Sequence, residues 1–243
     1  YLLMGVKDPD RVGMVQFHQT YAYEDFVQGY RPSGTGFALR DGVFHQFCKK
    51  AAQDLSKKYV FIIDEINRGN LSKVFGELMM LIEADKRGED WEIPLAYSTG
   101  PDDKFSVPDN VYLIGLMNTA DRSLAMVDYA LRRRFGFVDL EPGFETEQFR
   151  EFLLARETDE QFLDRVINRL VVVNQKIAED HANLGKGYRI GHSFFCALPE
   201  DGSLDLGLYR RIIRWEIEPL LREYWFDSPE KAEGLIKELM LVD

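Results

Sequence analysis

Two stretches of the chain are apolar at nearly every position. Tyr59 to Asp64 reads Tyr-Val-Phe-Ile-Ile-Asp, and Val111 to Met117 reads Val-Tyr-Leu-Ile-Gly-Leu-Met. Continuous β-branched and aromatic runs bounded by polar residues predict strands buried on both faces of a parallel sheet. Val12 to His18 and Phe135 to Leu140 read as further strands. Between the strands the period changes. Val43 to Ala52, Leu71 to Ala84 and Leu124 to Arg134 read as helices, and in the second Leu71, Val74, Phe75, Leu78, Leu81 and Ile82 share one face. Asp25 to Gly42 is rich in Gly, Arg and Pro and reads as a loop. Glu92 to Tyr97 and Lys104 to Val107 flank a turn-rich Ser98 to Asp103 and predict a hairpin. After Glu141-Pro142-Gly143 only helical patterns remain, at Thr146 to Ala155, Asp159 to Asp180, Leu208 to Tyr224 and Pro229 to Leu241. The expectation is an α/β core over 1–142 and a smaller all-helical unit over 143–243.

Composition narrows this little but excludes some classes. The 243 residues are 45% hydrophobic and 29% charged, which rules out wholesale disorder. A net charge of −11 argues against a free-standing, nonspecific DNA binder, because such binding rests on Lys and Arg neutralising phosphates. No apolar run approaches the roughly 20 residues of a membrane span. Tyr1-Leu2-Leu3-Met4-Gly5 meets Lys7, Asp8, Asp10 and Arg11 too soon for a secretory signal. Two well-separated cysteines, Cys48 and Cys196, read as reduced structural thiols. A cytoplasmic location without a membrane is therefore expected.

The chemistry gathers where predicted strands end. Phe61-Ile62-Ile63 runs into adjacent acids, Asp64 and Glu65, at the carboxyl edge of the sheet, where open α/β sheets bind ligands. In P-loop nucleotide hydrolases such an Asp holds magnesium, usually through water, and a neighbouring Glu polarises the attacking water. A polar strand end capping the next helix would look the same. Asn118 ends the next buried strand and can orient the same water. As alternatives, Thr119 or Asp121 caps the following helix, or Asn118-Thr119-Ala120-Asp121 imitates a guanine-reading motif. Arg132, Arg133 and Arg134 close a helix. They either complement its dipole or offer a guanidinium to a neighbouring subunit's phosphate. No Gly-x-x-x-x-Gly-Lys-Ser/Thr occurs, and Gly185 to Gly191 is only glycine-rich. Tyr1 to Gly5 reads as the last turn of a helix, so the expected phosphate loop would lie upstream of Tyr1.

These motifs resemble one family. Met14 to Tyr21 (Met-Val-Gln-Phe-His-Gln-Thr-Tyr), Tyr23 to Pro32, Ile62 to Arg68 (Ile-Ile-Asp-Glu-Ile-Asn-Arg), Met117 to Leu124 (Met-Asn-Thr-Ala-Asp-Arg-Ser-Leu), Tyr129 to Phe135 and Arg189 to Phe195 are similar to the AAA+ domain of the McrB family. That family is the GTP-driven motor subunit of a modification-dependent restriction system. The resemblance implies an AAA+ P-loop NTPase-type parallel sheet core with a helical lid, and GTP and magnesium as cofactors. It implies that Asp64 (the magnesium residue, through water) and Glu65 are the Walker B acids and that Asn118 is the sensor of the lytic water. Arg133 and Arg134 would act across a subunit interface, with Arg68 and Asp128 near them. Asp121 would belong to the nucleotide site, and Arg189, His192 and Ser193 would carry a second sensor in the lid. It further implies a hexameric ring, an McrC-like nuclease partner, and DNA recognition by a separate domain outside this chain. An ATP-using remodeller of the MoxR type and a non-catalytic scaffold are the competing readings.

Overall fold

The computed structural model describes residues 1–118, 132–198 and 202–241. The chain divides into two compact units, Tyr1–Phe137 and Val138–Asp243, each with its own core.

The first unit is built on a parallel sheet of β1 (Val12–Gln16), β4 (Tyr59–Asp64) and β7 (Val111–Gly115), with β4 in the centre. Val12 lies opposite Val60 and Gln16 opposite Asp64, while Tyr59 lies opposite Val111 and Ile63 opposite Gly115. All three strands therefore end on the same edge. Phe61 and Ile63 point into an aromatic core, where the rings of Phe26 and Phe44 stack at 4.9 Å and Phe44 meets Phe61 edge-on at 5.1 Å. The other face departs from the expected double burial. Its row of Met14, Ile62 and Ile114 is partly open, with Met14 64% exposed.

Between β1 and β4 lie α1 (Tyr23–Phe26), the antiparallel ribbon β2 (Gln28–Ser33) and β3 (Gly36–Asp41), and α2 (Val43–Ala52). The segment expected to be a loop is thus largely a hairpin. Gly34 supplies the positive φ, 58°, at the first position of its two-residue turn, a geometry that suits the twist of the flanking strands. The helix expected over Leu71 to Ala84 is two short helices, α3 (Leu71–Phe75) and α4 (Leu78–Leu81). They break at Gly76, whose φ of 51° no helix accommodates. The short pair β5 (Ile93–Pro94) and β6 (Lys104–Phe105) forms the expected second hairpin. The expected strand over Phe135 to Leu140 is absent. A strand exists through its ladder, and this segment has no paired neighbour among the described residues; Val138 and Leu140 are more than four-fifths exposed. Tyr1 to Gly5 forms a single turn closed by Gly5 at φ 68°.

The second unit is helical: α5 (Glu147–Leu154), α6 (Glu160–Glu179), α7 (Leu206–Ile212), α8 (Glu218–Tyr224) and α9 (Pro229–Met240). A π-helical turn, Ile213–Ile217, joins α7 to α8. Thr146, Asp159 and Asp205 cap α5, α6 and α7, each accepting a hydrogen bond from the backbone N–H three residues on. Leu153, Leu163, Leu170, Phe195 and Leu221 fill the core, and the Tyr209 hydroxyl donates to the Leu239 carbonyl at 2.8 Å.

Candidate functional site

Two adjacent carboxylates stand at the end of the central strand. Asp64 is the last residue of β4, and its carbonyl accepts from the Phe17 N–H at 2.9 Å. The Asp64 carboxylate makes no hydrogen bond or ion pair among the described residues. Glu65 then leaves the strand at φ 51°, ψ 43°. For a residue with a Cβ this left-handed conformation costs on the order of 1–3 kcal/mol and persists only where the surroundings impose it. It reverses the chain at once into the tight turn Ile66–Arg68 and sets the Glu65 side chain beside that turn. Glu65 Oε2 is buried and receives no hydrogen bond; Arg68 Nε lies 3.1 Å away as an ion pair. Asn67 Oδ1 is likewise buried without a hydrogen bond.

The β7 end is fastened to this turn. The Leu116 N–H donates to Ile63 O at 2.8 Å, and the Ile66 N–H donates to Leu116 O at 3.0 Å. The close approach needs Gly115, because a Cβ there would lie 2.8 Å from Ile66 Cδ1. Asn118, two residues past Leu116, lies beyond the end of β7 and is exposed. The site is thus two carboxylates at one sheet edge and a turn anchored by buried Ile66, with Asn118 following the adjacent strand. Gly115 and the conformation of Glu65 were not singled out from the sequence. A glycine at the end of an otherwise apolar strand was the available signal for the first.

The remaining expected residues are more dispersed. The Arg134 guanidinium pairs with Glu83 of the same chain at 2.8 Å, while Arg133 is exposed and forms no ion pair among the described residues. Lys86, and after it Arg134, hold the Glu83 carboxyl below its usual range. Asp121 and Asp128 lie outside the described residues. In the helical unit Arg189 pairs with Glu141 and donates through Nε to Lys186 O at 2.9 Å, which keeps the Glu141 carboxyl low. His192 Nδ1 accepts from the Gly143 N–H at 2.9 Å, and its ring meets Phe144 and Phe149 edge-on. Its ring thus ties the entry of this unit to its core. Ser193 is exposed. Among the described residues no group of three or more His, Cys, Asp or Glu could enclose a metal ion. Asp64 offers one uncommitted carboxylate, a hard oxygen ligand, which fits a magnesium ion held mostly by water and phosphate.

Residues 2–135 match the model of the AAA domain, dynein-related subfamily, and residues 165–233 match the McrB alpha-helical lid domain. Over 241 residues, 99% of this chain, the sequence is 57% identical to the Type IV methyl-directed restriction enzyme EcoKMcrB subunit of Escherichia coli K12. The chain belongs to the McrB family. It spans 52% of that E. coli protein. A more distant relative of this McrB-family chain is the Type II restriction enzyme BsuMI component YdiS of Bacillus subtilis 168, 29% identical over 128 residues, which are 49% of the chain and 37% of that protein. The parallel sheet is the AAA core of this McrB relative, and the helical unit is its lid. No described helix is long and apolar enough to cross a membrane.

Proposed function

We propose that this McrB-family chain is the hydrolytic core and lid of a GTP-driven motor subunit that powers cleavage of modified DNA by a partner nuclease. The observation that supports this reading most is the edge itself: Asp64 ends the central strand, Glu65 turns off it, and the end of β7 is fastened to that turn through Leu116, two residues before Asn118. Bound magnesium would neutralise phosphate charge and so ease transfer to water. Asp64 would hold that ion through its water ligands. Glu65 would take a proton from the attacking water, its carboxylate set by the backbone turn. Asn118 would orient that water through its amide. Arg133 would reach a phosphate on the neighbouring copy, and Arg134, tied to Glu83, would hold the turn that presents it. We assign the phosphate-cradling loop and the DNA-recognition domain to parts of the full-length protein outside these 243 residues. The full-length protein would assemble as a hexameric ring and would be stimulated by an McrC-like subunit.

The test is hydrolysis of GTP against ATP by the full-length protein, with and without that partner. Partner-stimulated turnover of GTP alone is expected. Glu65→Ala and Asn118→Ala should each lower it by roughly a hundredfold or more while nucleotide binding persists. Near-parental turnover in both variants would overturn the assignment of the site. Turnover of ATP would move the function to a protein remodeller, and no turnover to a scaffold.

A further inference from the structure

β1 brings one more polar side chain to the edge where the acids stand. Gln16 ends β1 opposite Asp64 in the parallel ladder. Val15 and Phe17, on either side of it, pack against the aromatic core, so Gln16 faces the other side of the sheet, as Asp64 does next to Ile63. Neighbouring strands stand about 4.8 Å apart, so these two side chains are adjacent on one face. The same register, continued one residue past Gly115, sets Leu116 on the other flank of Asp64. The rung behind them is Met14, Ile62 and Ile114. This face is therefore apolar up to its edge, and there it carries a carboxamide and a carboxylate side by side. The rung is held firmly. The Phe17 N–H bond to Asp64 O continues the ladder past Gln16, and the buried Phe17 ring stacks on Tyr21 at 4.8 Å and meets Phe26 edge-on at 5.5 Å. Gln16 is exposed, and its carboxamide makes no hydrogen bond among the described residues.

A carboxylate that holds an ion through water has two oxygens to place, and carboxylates at metal sites are themselves held by a hydrogen-bonding neighbour. Asp64 has no other such neighbour among the described residues. A carboxamide offers N–H donors and a carbonyl acceptor on one planar group without adding charge. Magnesium keeps several waters, and those waters need acceptors. We propose that Gln16 is a positioning residue of the magnesium site. Its amide N–H donates to one Asp64 oxygen and turns the other toward the ion's water, and its carbonyl oxygen accepts from a water ligand. The proposal rests on the hydrolytic reading above and adds to it the residue that orients the metal carboxylate.

The experiment uses the full-length protein and a fluorescent, non-hydrolysable GTP analogue whose binding is titrated with magnesium. Gln16→Leu should raise the magnesium concentration at half-saturation roughly tenfold, the low end of what losing such a partner costs. Its affinity for the analogue in EDTA should equal that of the parent. Gln16→Asn, which keeps the amide on a shorter stem, should fall between the two. GTP turnover by Gln16→Leu should drop at limiting magnesium and recover in excess. Asp64→Asn is the reference and should move the midpoint further. An unmoved midpoint in Gln16→Leu beside a moved one in Asp64→Asn would overturn this proposal and leave the site standing. An equal loss of analogue affinity with and without magnesium would also overturn it, making Gln16 a residue of the strand alone. If binding responds to magnesium neither in the parent nor in Asp64→Asn, the hydrolytic reading falls and takes this proposal with it.

Discussion

Single residues with forced backbones carry much of the geometry. Gly76 sits at φ 51°, ψ −128°, and a Cβ there would lie 3.0 Å from the Tyr23 ring. That ring is not adjustable. Its hydroxyl donates to Glu77 at 2.6 Å, Glu77 also accepts from the Ala96 N–H at 2.7 Å, and burial together with Glu77 pushes the phenol's ionisation well above its usual value. Gly76→Ala is therefore expected to lower stability by roughly 1–3 kcal/mol. A urea titration should show a lower midpoint with an unchanged slope. Glu65 shows the opposite arrangement, a side chain kept where glycine would be easier. The strain there marks the residue that the hydrolytic reading needs most.

At the scale of elements, α2 carries a titratable group in its packed face. His45 is 6% exposed, meets Phe105 edge-on at 4.6 Å and has Asp41 3.3 Å from Nδ1, with Lys49 paired to the same carboxylate. Burial lowers its pKa from 6.5; Asp41 opposes that and Lys49 adds to it. A histidine with a depressed folded pKa binds fewer protons folded than unfolded. Stability is then complete above about pH 6.5 and falls as the pH drops below it. His45→Leu should flatten this acid limb in urea midpoints measured across that range. The elements also differ in how plainly the sequence announces them. β4 is legible because Tyr59 to Ile63 is apolar throughout, and the acids that follow it announce the site. The break in Leu71 to Ala84 is hidden, because Leu71, Val74 and Phe75 before Gly76 and Leu78 and Leu81 after it keep one helical face. The ribbon is hidden by Gly29, Pro32, Gly34 and Gly36, loop residues that here form a turn and an exposed edge. Phe135 to Leu140 has a strand's composition, but pairing depends on a neighbour, which composition does not encode. Asn118 is readable as a strand end. That the chain just before it is fastened to the turn after the acids, through Leu116 and Ile66, depends on hydrogen bonds between segments about 50 residues apart.

The whole molecule holds two separate cores, one aromatic around Phe26 and Phe44 and one aliphatic around Leu153 and Leu163. Leu153→Ala removes a fully buried side chain from the second and should cost roughly 2–5 kcal/mol there. Calorimetry should show this as a lowered lid transition with the core transition unmoved; a single transition shifting as a whole would contradict it. The parallel sheet has one more consequence, for the order of folding. Among the described residues each of its strands pairs with a strand roughly 50 residues away in the chain, so these rungs of the sheet form after a long loop has closed. The lid helices rest largely on local contacts and carry no such delay. In a chain refolding from denaturant, the part expected to perform chemistry is the slower to arrive. Its acids stand exposed on unpaired strands while the lid is already formed, and that interval is when the molecule is most open to aggregation.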